Sequence, residues 1–324
     1  MRIEIIGAES LGVRSLCCLV TTPARRVLID PGLALGYVRH GLLPHPIQIA
    51  LGRTLRKRII HALNHADDVV VSHFHGDHIP LVDANPYQLS MHDLQHRSQS
   101  VRCWSKSADD SSPDMRKRWG DLVTWFGDAI RAAEGCTHGP LAFSHAVPHG
   151  TPNSALGSVM MTRIESGAQV FVHASDIQLL DETTVDSLID WRPTTVLAGG
   201  PPLYLGRLGV AERERAWQNA LRLAEHVKVV ILDHHVLRDS SGEAWLKALS
   251  ETTGKRIYCA ADFMGRPRRL LESRRQELYD DMPVPPGWHG RYARGAATIE
   301  GYFGDMGDRA QCAKRARTDD RQTD

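Results

Sequence analysis

The fold is decided by residues 69–78, Val-Val-Val-Ser-His-Phe-His-Gly-Asp-His. The three valines are β-branched and apolar, which predicts a short buried strand that ends just before the first histidine. In an extended chain His73 and His75 point to the same side, because side chains alternate along a strand. The glycine that follows lets the backbone turn, so that Asp77 and His78 project from the next turn. The stretch therefore presents nitrogen and oxygen ligands of the kind that zinc binds, with iron or manganese as alternatives.

Several other apolar runs along the chain are followed by a polar residue that could bind metal or support a ligand. These residues are Asp30, before a Pro-Gly breaker; His149, between a proline and a glycine; Asp176, after a small residue; and the pair His234 and His235, after residues 227–232. An aspartate before a turn is often only a turn residue, so local chemistry leaves the role of Asp30 open. For residues 69–78 the alternative is a histidine-rich surface loop. The recurrence of potential ligands at other strand ends argues against that alternative.

The segment His73-Phe74-His75-Gly76-Asp77-His78 resembles the HxHxDH signature of the metallo-β-lactamase superfamily. The resemblance implies an α/β (α+β) fold, a four-layer αββα sandwich with a binuclear metal centre. It implies two ligand sets, which are His73, His75 and His149 for one metal and Asp77, His78 and His234 for the other. Asp176 matches the carboxylate that bridges the two metals in this superfamily. Asp30 matches a carboxylate that orients a ligand histidine and fixes its tautomer.

A second resemblance extends beyond the metal motifs. Four further segments are similar to an uncharacterised prokaryotic family of predicted metallo-β-lactamase-fold hydrolases, and they are residues 8–15, 200–204, 234–239 and 270–279. The similarity runs from residue 1 to about residue 282. It supports the fold and the metals more than it identifies a substrate.

Two adjacent histidines compete for the last ligand position. Successive side chains at a strand end point to opposite faces, which predicts that only one of the two reaches the metals. In a related nuclease pattern the ligand histidine comes four residues before an arginine, as His234 does before Arg238. We therefore expect His234 to bind metal, and His235 and Arg238 to contact the substrate.

Composition and charge exclude several classes of protein. The chain of 324 residues is 42% hydrophobic and 24% charged, which is ordinary for a globular protein. Its net charge of +1 gives no overall field that favours nucleic acid or an anionic membrane as a partner. The N-terminus lacks the apolar core of a signal peptide, and no apolar run approaches the roughly 20 residues that cross a bilayer. The six cysteines lack metal-ligand spacing, and Cys17 and Cys18 lie in an apolar run, which favours reduced thiols and a cytoplasmic location.

The chain is expected to form one domain over residues 1–304, followed by a disordered polar tail over residues 305–324. Residues 97–118 are rich in serine and charge, which predicts a flexible insertion. Residues 47–66 show the apolar periodicity of a helix, and residues 121–126 are interpreted as a strand. His145 is expected to have a packing or supporting role rather than to bind metal.

Two divalent cations at these ligands would hold a bridging hydroxide at neutral pH and polarise a carbonyl or phosphoryl oxygen. We therefore expect a metallo-hydrolase whose hydroxide attacks a small ester, thioester or phosphodiester, with Asp77, His235 and Arg238 as catalytic residues. No Gly-x-Ser-x-Gly turn offers a serine nucleophile instead. One alternative is a nuclease that binds short nucleic acid through the basic residues of 53–58. The other is a metal-binding sensor without turnover.

Overall fold

The computed structural model describes residues 1–94, 101–152 and 154–302. In chain order the strands are β1 (Arg2–Ile5), β2 (Cys18–Thr21), β3 (Arg26–Ile29), β4 (Asp68–Val71), β5 (Arg102–Ser105), β6 (Ile130–Ala132), β7 (Thr137–His138), β8 (Leu141–Phe143), β9 (Val147–Pro148), β10 (Ser158–Val159), β11 (Thr162–Ser166), β12 (Gln169–Ser175), β13 (Thr195–Ala198) and β14 (Val229–Leu232). The α-helices are α1 (Pro46–His65), α2 (Pro113–Phe126), α3 (Glu182–Asp190), α4 (Val210–His226), α5 (Ser241–Thr253), α6 (Ala260–Phe263), α7 (Arg275–Asp281) and α8 (Trp288–Ala293). Short 3-10 turns lie at Glu9–Leu11, Met91–Asp93, Gly127–Ala129, Val236–Arg238 and Glu300–Tyr302.

Two six-stranded sheets form the centre of the molecule, and β9 and β10 pair separately. The first sheet has the order β1-β2-β3-β4-β5-β6, in which β3 to β6 run parallel. The second sheet has the order β14-β13-β12-β11-β8-β7, in which β12, β13 and β14 run parallel. Each sheet therefore brings the carboxyl ends of neighbouring strands to one edge, where loops can carry functional side chains.

The two sheets pack face to face and helices cover their outer faces. Because side chains alternate along a strand, Ile29 and Val70 point inward and pack with residues of the second sheet. Leu28 and Val69 point outward and pack against the apolar face of α1. Helices α3, α4 and α5 cover the outer face of the second sheet with buried residues such as Val185, Ala220 and Leu249. This order of layers is the αββα sandwich that the resemblance implied, and the prediction is confirmed.

The described part of the predicted flexible insertion over residues 97–118 contains regular secondary structure, namely β5 and the start of α2. β5 is a central strand between β4 and β6, and Val101, Cys103 and Trp104 are buried there. The serines around it occur mainly in the turns and at the start of α2, where Ser112 accepts a hydrogen bond from the amide of Met115. Residues 97–100 lie outside the described residues, as does the predicted disordered tail over residues 305–324.

Residues 121–126 are the last part of α2 and not a strand. The cause is the helical spacing of Met115, Trp119 and Leu122, which places all three against the same core. The preceding Ser112-Pro113 pair is a helix start signal, with a capping serine and a proline at the first helical position. The predicted helix at 47–66 is confirmed as α1.

Two further findings concern membrane-spanning helices and the state of the cysteines. Within the described ranges, no helix is both long enough and apolar enough to cross a membrane. Cys17 and Cys18 are buried and unpaired, as expected for reduced thiols in an apolar strand.

Candidate metal centre

The predicted ligands lie at strand ends that the two sheets bring to one place. The segment that follows β4 carries His73, and β9 leads into His149. Asp176 follows the end of β12, and His234 follows the end of β14. Side chains from both sheets therefore meet at the carboxyl ends of their strands, where the sequence placed the site.

The donor atoms form four overlapping groups, and two of these groups correspond to the predicted ligand sets. Ligand atoms of His73, His75, His149 and Asp176 lie within 4.8 Å of one another. Ligand atoms of Asp77, His78 and His234 form a second group within the same limit. The structure thus brings together every residue that was expected to bind metal, in the two predicted sets. Which of these residues bind metal stays a prediction.

The carboxylate of Asp176 lies between the two groups. Its Oδ2 is 3.1 Å from Nε2 of His149 and 3.5 Å from Nε2 of His234. Its Oδ1 is 3.2 Å from Nε2 of His78. A single carboxylate therefore contacts histidines of both sets, which is the position that a bridging ligand needs.

The carboxylate of Asp30 orients two of the predicted ligand histidines. Its Oδ2 accepts hydrogen bonds from Nδ1 of His78 at 3.0 Å and from the hydroxyl of Ser72 at 2.7 Å. The Ser72 oxygen also lies 2.9 Å from Nδ1 of His73, and Ser175 donates to Asp30 at 3.1 Å. One carboxylate thereby orients a histidine of each predicted set, directly for His78 and through Ser72 for His73.

Backbone strain is concentrated at this site. Asp30, Ser175 and His234 have φ values of 50°, 52° and 54°, in the left-handed region that non-glycine residues rarely adopt. Each such conformation costs on the order of 1–3 kcal/mol and persists only where the surrounding structure enforces it. All three residues follow or end a strand beside the predicted ligands, so the strain directs their side chains into the site.

Gly32 lies directly against the ligand segment. A Cβ atom at this position would lie 2.1 Å from the amide nitrogen of Ile79 and 2.2 Å from the carbonyl carbon of His78. Both atoms belong to the backbone, so they cannot move aside as a flexible side chain could. The turn after Asp30 therefore requires glycine for the close approach of the two segments.

Both adjacent histidines face the donor atoms of the site, and that only one of them binds metal stays a prediction. Nε2 of His235 lies 3.0 Å from Oδ2 of Asp176, and His234 contacts the same oxygen. The alternation rule does not apply here, because β14 ends at Leu232 and the left-handed backbone of His234 turns the chain. His234 still differs from His235, since its Nε2 also lies 3.4 Å from Oδ2 of Asp77.

Arg238 is buried beside the second ligand group, and its side-chain nitrogens all contact other groups of the protein. Its Nη2 donates to Asp77 at 3.0 Å and lies 2.6 Å from Nε2 of His234. Its Nε donates to Glu9 at 3.3 Å, and its Nη1 donates to the Tyr204 hydroxyl at 3.4 Å. The arginine therefore fixes the orientation of Asp77 and balances its charge.

The electrostatics of the site favour neutral imidazoles at His73 and His75 and an ionised carboxylate at Asp176, whereas the carboxylates of Asp176 and Asp30 raise the pKa of His78. Burial, reinforced by His78 and His75, holds the pKa of His73 well below its usual range. Burial and His149 lower the pKa of His75 to about 3. Burial alone would raise the pKa of Asp176, but the surrounding histidines hold it well below its usual range. Neutral imidazole and ionised carboxylate are the forms that bind a cation.

Some buried polar atoms in the described part of the site lack a usual hydrogen-bond partner, and this fits a bound cation. Oδ1 of Asp176 is buried and has no hydrogen-bond partner among the described residues. Nε2 of His73 lies 3.0 Å from Nδ1 of His75, and Nε2 of His78 lies 3.4 Å from Nε2 of His234. Buried ring nitrogens and carboxylate oxygens that face one another need a shared partner, and a divalent cation supplies one.

Other candidate residues from the sequence lie elsewhere. His145 is exposed and packs beside Gly135, so it is not part of the centre. In the basic stretch of α1, Arg58 pairs with Glu4 at 2.9 Å. Arg56 donates to the carbonyl oxygens of Pro86 and Gln88. Engagement of these two arginines within the protein leaves less of the α1 surface free for nucleic acid.

Sequence reasoning missed several residues that contact the predicted ligands. Ser72, Ser175 and Gln178 carry no motif, although the amide of Gln178 lies 3.3 Å from Nδ1 of His149. The hydroxyl of Tyr204 lies 3.3 Å from Nδ1 of His235. Its only sequence signal was its position in one of the four segments that carried the second resemblance. Serine and tyrosine have no ligand spacing to detect, so only the fold reveals their contacts.

Comparisons with known proteins identify relatives along most of the chain. A UPF0282 protein of Methanosarcina mazei is 44% identical over 303 residues, which cover 94% of this chain and 100% of the relative. A UPF0282 protein of Thermococcus kodakarensis is 34% identical over 86% of this chain and 95% of the relative. No protein-family model matches the chain. Among solved structures, the metallo-beta-lactamase fold protein YhfI from Bacillus subtilis is similar at 14% identity and a TM-score of 0.47, over 79% of this chain and 95% of that one. A similarity of this size does not assign a function.

Proposed function

This chain belongs to the UPF0282 family, and we propose that it is a hydrolase that depends on two divalent cations. Zinc is the favoured metal, with iron or manganese as alternatives, because the ligands are imidazoles and carboxylates. The substrate is a small molecule with an ester, thioester or phosphodiester bond. The proposal includes the two ligand sets named above and Asp176 as the ligand that they share.

One observation carries this proposal. Two groups of donor atoms, each within 4.8 Å, are joined by the Asp176 carboxylate, whose buried Oδ1 has no hydrogen-bond partner in the described part of the chain apart from its 3.2 Å contact with Nε2 of His78. A structural zinc site uses four ligands and leaves no position open. Six donor residues around one shared carboxylate instead give each of two cations three ligands of its own, the number that a catalytic site uses. Bound cations at such a site supply an activated water and polarise the bond to be cleaved.

The residues of the chain then have separate tasks. His73, His75 and His149 would hold the first cation, and Asp77, His78 and His234 would hold the second. Asp30 and Ser72 keep the protons of the ligand histidines on the ring nitrogens that face away from the cations. Arg238 keeps Asp77 ionised and in place. His235 contacts Asp176 through Nε2 and the Tyr204 hydroxyl through Nδ1, so it can exchange a proton with substrate at the edge of the site.

Hydrolysis by protein of known metal content tests the proposal. The metal-free protein is loaded with zinc, manganese or iron(II), and bound metal is measured by elemental analysis. Each form is then tested on bis-p-nitrophenyl phosphate, p-nitrophenyl esters and a thioester of coenzyme A. We expect about two cations per chain and turnover of one substrate class that requires metal.

The matched control is Asp176→Asn, which keeps the size of the side chain and removes its charge. Equal turnover by this variant and by the original protein would mean that the activity arises elsewhere. Two bound metals without turnover of any class would favour a metal-binding sensor. Fewer than one bound metal per chain after careful loading would contradict the binuclear site itself.

A further inference from the structure

Arg39 is linked to the candidate metal centre through the side chain of Tyr204. It belongs to the loop between β3 and α1, and its guanidinium carbon is 5.6 Å from the ring centre of Tyr204. The hydroxyl of Tyr204 lies 3.3 Å from Nδ1 of His235, which in turn contacts Asp176. Arg39 is therefore separated from the shared carboxylate by two side chains that are in contact with each other.

At least one N–H donor of the Arg39 guanidinium has no acceptor in the part of the chain that the structure describes. One Nη donates to the carbonyl oxygen of Arg238. The nearest carboxylate oxygen, Oδ2 of Asp239, is 4.0 Å away, at the limit of an ion pair. The Nε atom is buried and has no hydrogen-bond partner among the described residues. The side chain is only 14% exposed, so water satisfies few of its donors.

Arg238 is the contrasting case. Its guanidinium carbon is also close to Tyr204, 5.8 Å from the ring centre. Its donors are all directed at groups of the protein, namely Glu9, Tyr204, Asp77 and His234. Of the two guanidinium groups that flank Tyr204, Arg39 is thus the one that can bind a ligand without losing an internal ion pair.

The loop that carries Arg39 is held in place on both sides. The amide of Arg39 donates to the carbonyl of Leu42 at 3.0 Å, and the reverse hydrogen bond is 2.9 Å. The amide of Gly36 donates to Glu272 at 3.1 Å. A Cβ at position 36 would lie 2.7 Å from both carboxylate oxygens of Glu272, so the loop and this carboxylate approach as closely as glycine allows. An anchored arginine loses little side-chain entropy when it binds a ligand.

We propose that the substrate of this site carries an anionic group beside the bond that is cleaved, and that Arg39 binds this group. The anion is a carboxylate or a phosphate, because the planar guanidinium pairs with both through two parallel hydrogen bonds. Tyr204 lies between the proposed anion site and the metal centre and sets the distance between them. This inference rests on the proposed function of the same metal site.

Binding measurements test the anion site without requiring turnover. Glutarate has one carboxylate more than valerate, so the zinc-loaded protein should bind glutarate about tenfold more tightly or better, as a charge-assisted pair predicts. Arg39→Gln should remove this preference, because glutamine keeps a polar side chain but has no charge. Arg39→Lys should keep part of it. Arg207→Gln, which changes an exposed arginine near Tyr204, should leave the preference unchanged.

Calorimetry of these four proteins gives the result directly. Equal affinities for glutarate and valerate in the original protein, or a preference that survives in Arg39→Gln, would overturn the proposal. Replacing glutarate with 4-phosphonobutyrate decides between a carboxylate and a phosphate, because the ligand whose affinity falls further in Arg39→Gln carries the group that Arg39 prefers.

Turnover then separates this inference from the proposed function. Mono-p-nitrophenyl glutarate and p-nitrophenyl valerate differ in the same carboxylate. Arg39→Gln should lower kcat/KM about tenfold for the anionic ester and leave the neutral ester unaffected. Equal loss on both esters contradicts the anion site and leaves the hydrolase standing. If the protein prefers glutarate but hydrolyses neither ester, the proposal of a hydrolase is contradicted and the proposal of an anion site is retained.

Discussion

Asp176 has more contacts with histidines than any other carboxylate described in the site, and its removal should be the most damaging single change. Asp176→Ala should lose metal from both ligand sets, because the carboxylate contacts His149, His234 and His78. His145→Ala should retain the metal content of the original protein, since His145 is exposed and remote from the centre. Elemental analysis after identical loading compares the two. Equal retention in both variants would show that Asp176 is not the shared ligand.

His234 and His235 should differ in metal binding even though both contact Asp176. His234 also lies close to Asp77 and His78, within the second donor group, so His234→Ala should empty that site. His235→Ala should keep both metals and lower the rate, because its second nitrogen faces Tyr204 and not another ligand. Metal content alone checks the assignment. The reverse pattern would exchange the two roles and leave the rest of the site unchanged.

Asp30→Asn should weaken metal binding by about 10–100-fold, the usual effect of losing a group that orients a ligand. An asparagine amide cannot accept from His78, Ser72 and Ser175 as the carboxylate oxygen does. Competition with a chelator measures the affinity, with the exposed Asp128→Asn as the matched control. Unchanged affinity in Asp30→Asn would return Asp30 to the role of a simple turn residue.

The residues that could be predicted are those whose chemistry repeats at a fixed spacing. His73, His75, Asp77 and His78 are close in the chain, so local geometry alone indicates a metal site. His149, Asp176 and His234 required the family resemblance, because nothing local brings them together. Arg39 and Tyr204 escaped prediction because arginine and tyrosine occur widely on surfaces. Only the packing of two distant loops shows that their side chains meet.

At the scale of elements, secondary structure was predictable where apolar periodicity and start signals agree. Helix α1 has both, with Pro46 at its first position and a buried apolar face. The region of β5 and α2 was misjudged because its polar residues are frequent, although Cys103 and Trp104 are buried in β5. β5 has only four residues, and the two apolar ones are Cys103 and Trp104, so its apolar run is too short to stand out from the polar residues around it. Polar composition is therefore weak evidence of flexibility in such a short segment.

Helix α1 should make the stability of the protein depend on pH through its capping residue, His45. Nδ1 of this histidine accepts a hydrogen bond from the amide of Ile47 at 3.2 Å, and Nε2 donates to the carbonyl of Met282 at 2.9 Å. Burial lowers the pKa of His45, while the Met282 carbonyl works in the opposite direction. The neutral ring thus contributes stability above the unfolded-state pKa of about 6.5, and the contribution is lost as pH falls through the lowered pKa of the folded protein.

His45→Asn tests this dependence, because asparagine caps a helix without titrating. At pH 7.5 the variant should be less stable by about 1 kcal/mol, since it loses the hydrogen bond to Met282. The difference in the free energy of unfolding should shrink as the pH is lowered towards 5. Urea unfolding at several pH values measures it. A difference that is constant with pH would show that His45 does not titrate in this range.

At the scale of the whole molecule, the metal centre should hold the two sheets together. Four of the predicted ligands follow β4 of the first sheet, and Asp176 and His234 follow strands of the second. Cations that bind only the folded protein stabilise it by about 2.7 kcal/mol when free metal is 100 times the Kd. Removal of metal by a chelator should therefore lower the Tm.

Differential scanning calorimetry before and after chelation checks this effect. Asp176→Ala serves as the control, because a variant that no longer holds metal should show little further change. A Tm of the original protein that does not move when its metals are removed would contradict the idea that the cations join the sheets.

The close approach of Gly32 to the ligand segment has a consequence for the evolution of this chain. No side chain fits between position 32 and the peptide that joins His78 to Ile79. A mutation at this position cannot be compensated by a change in a neighbouring side chain, because the obstacle is backbone. Relatives that keep the histidine motif should therefore keep Gly32. A homologue that has lost this glycine is expected to have lost the histidine motif as well, and with it the inherited chemistry.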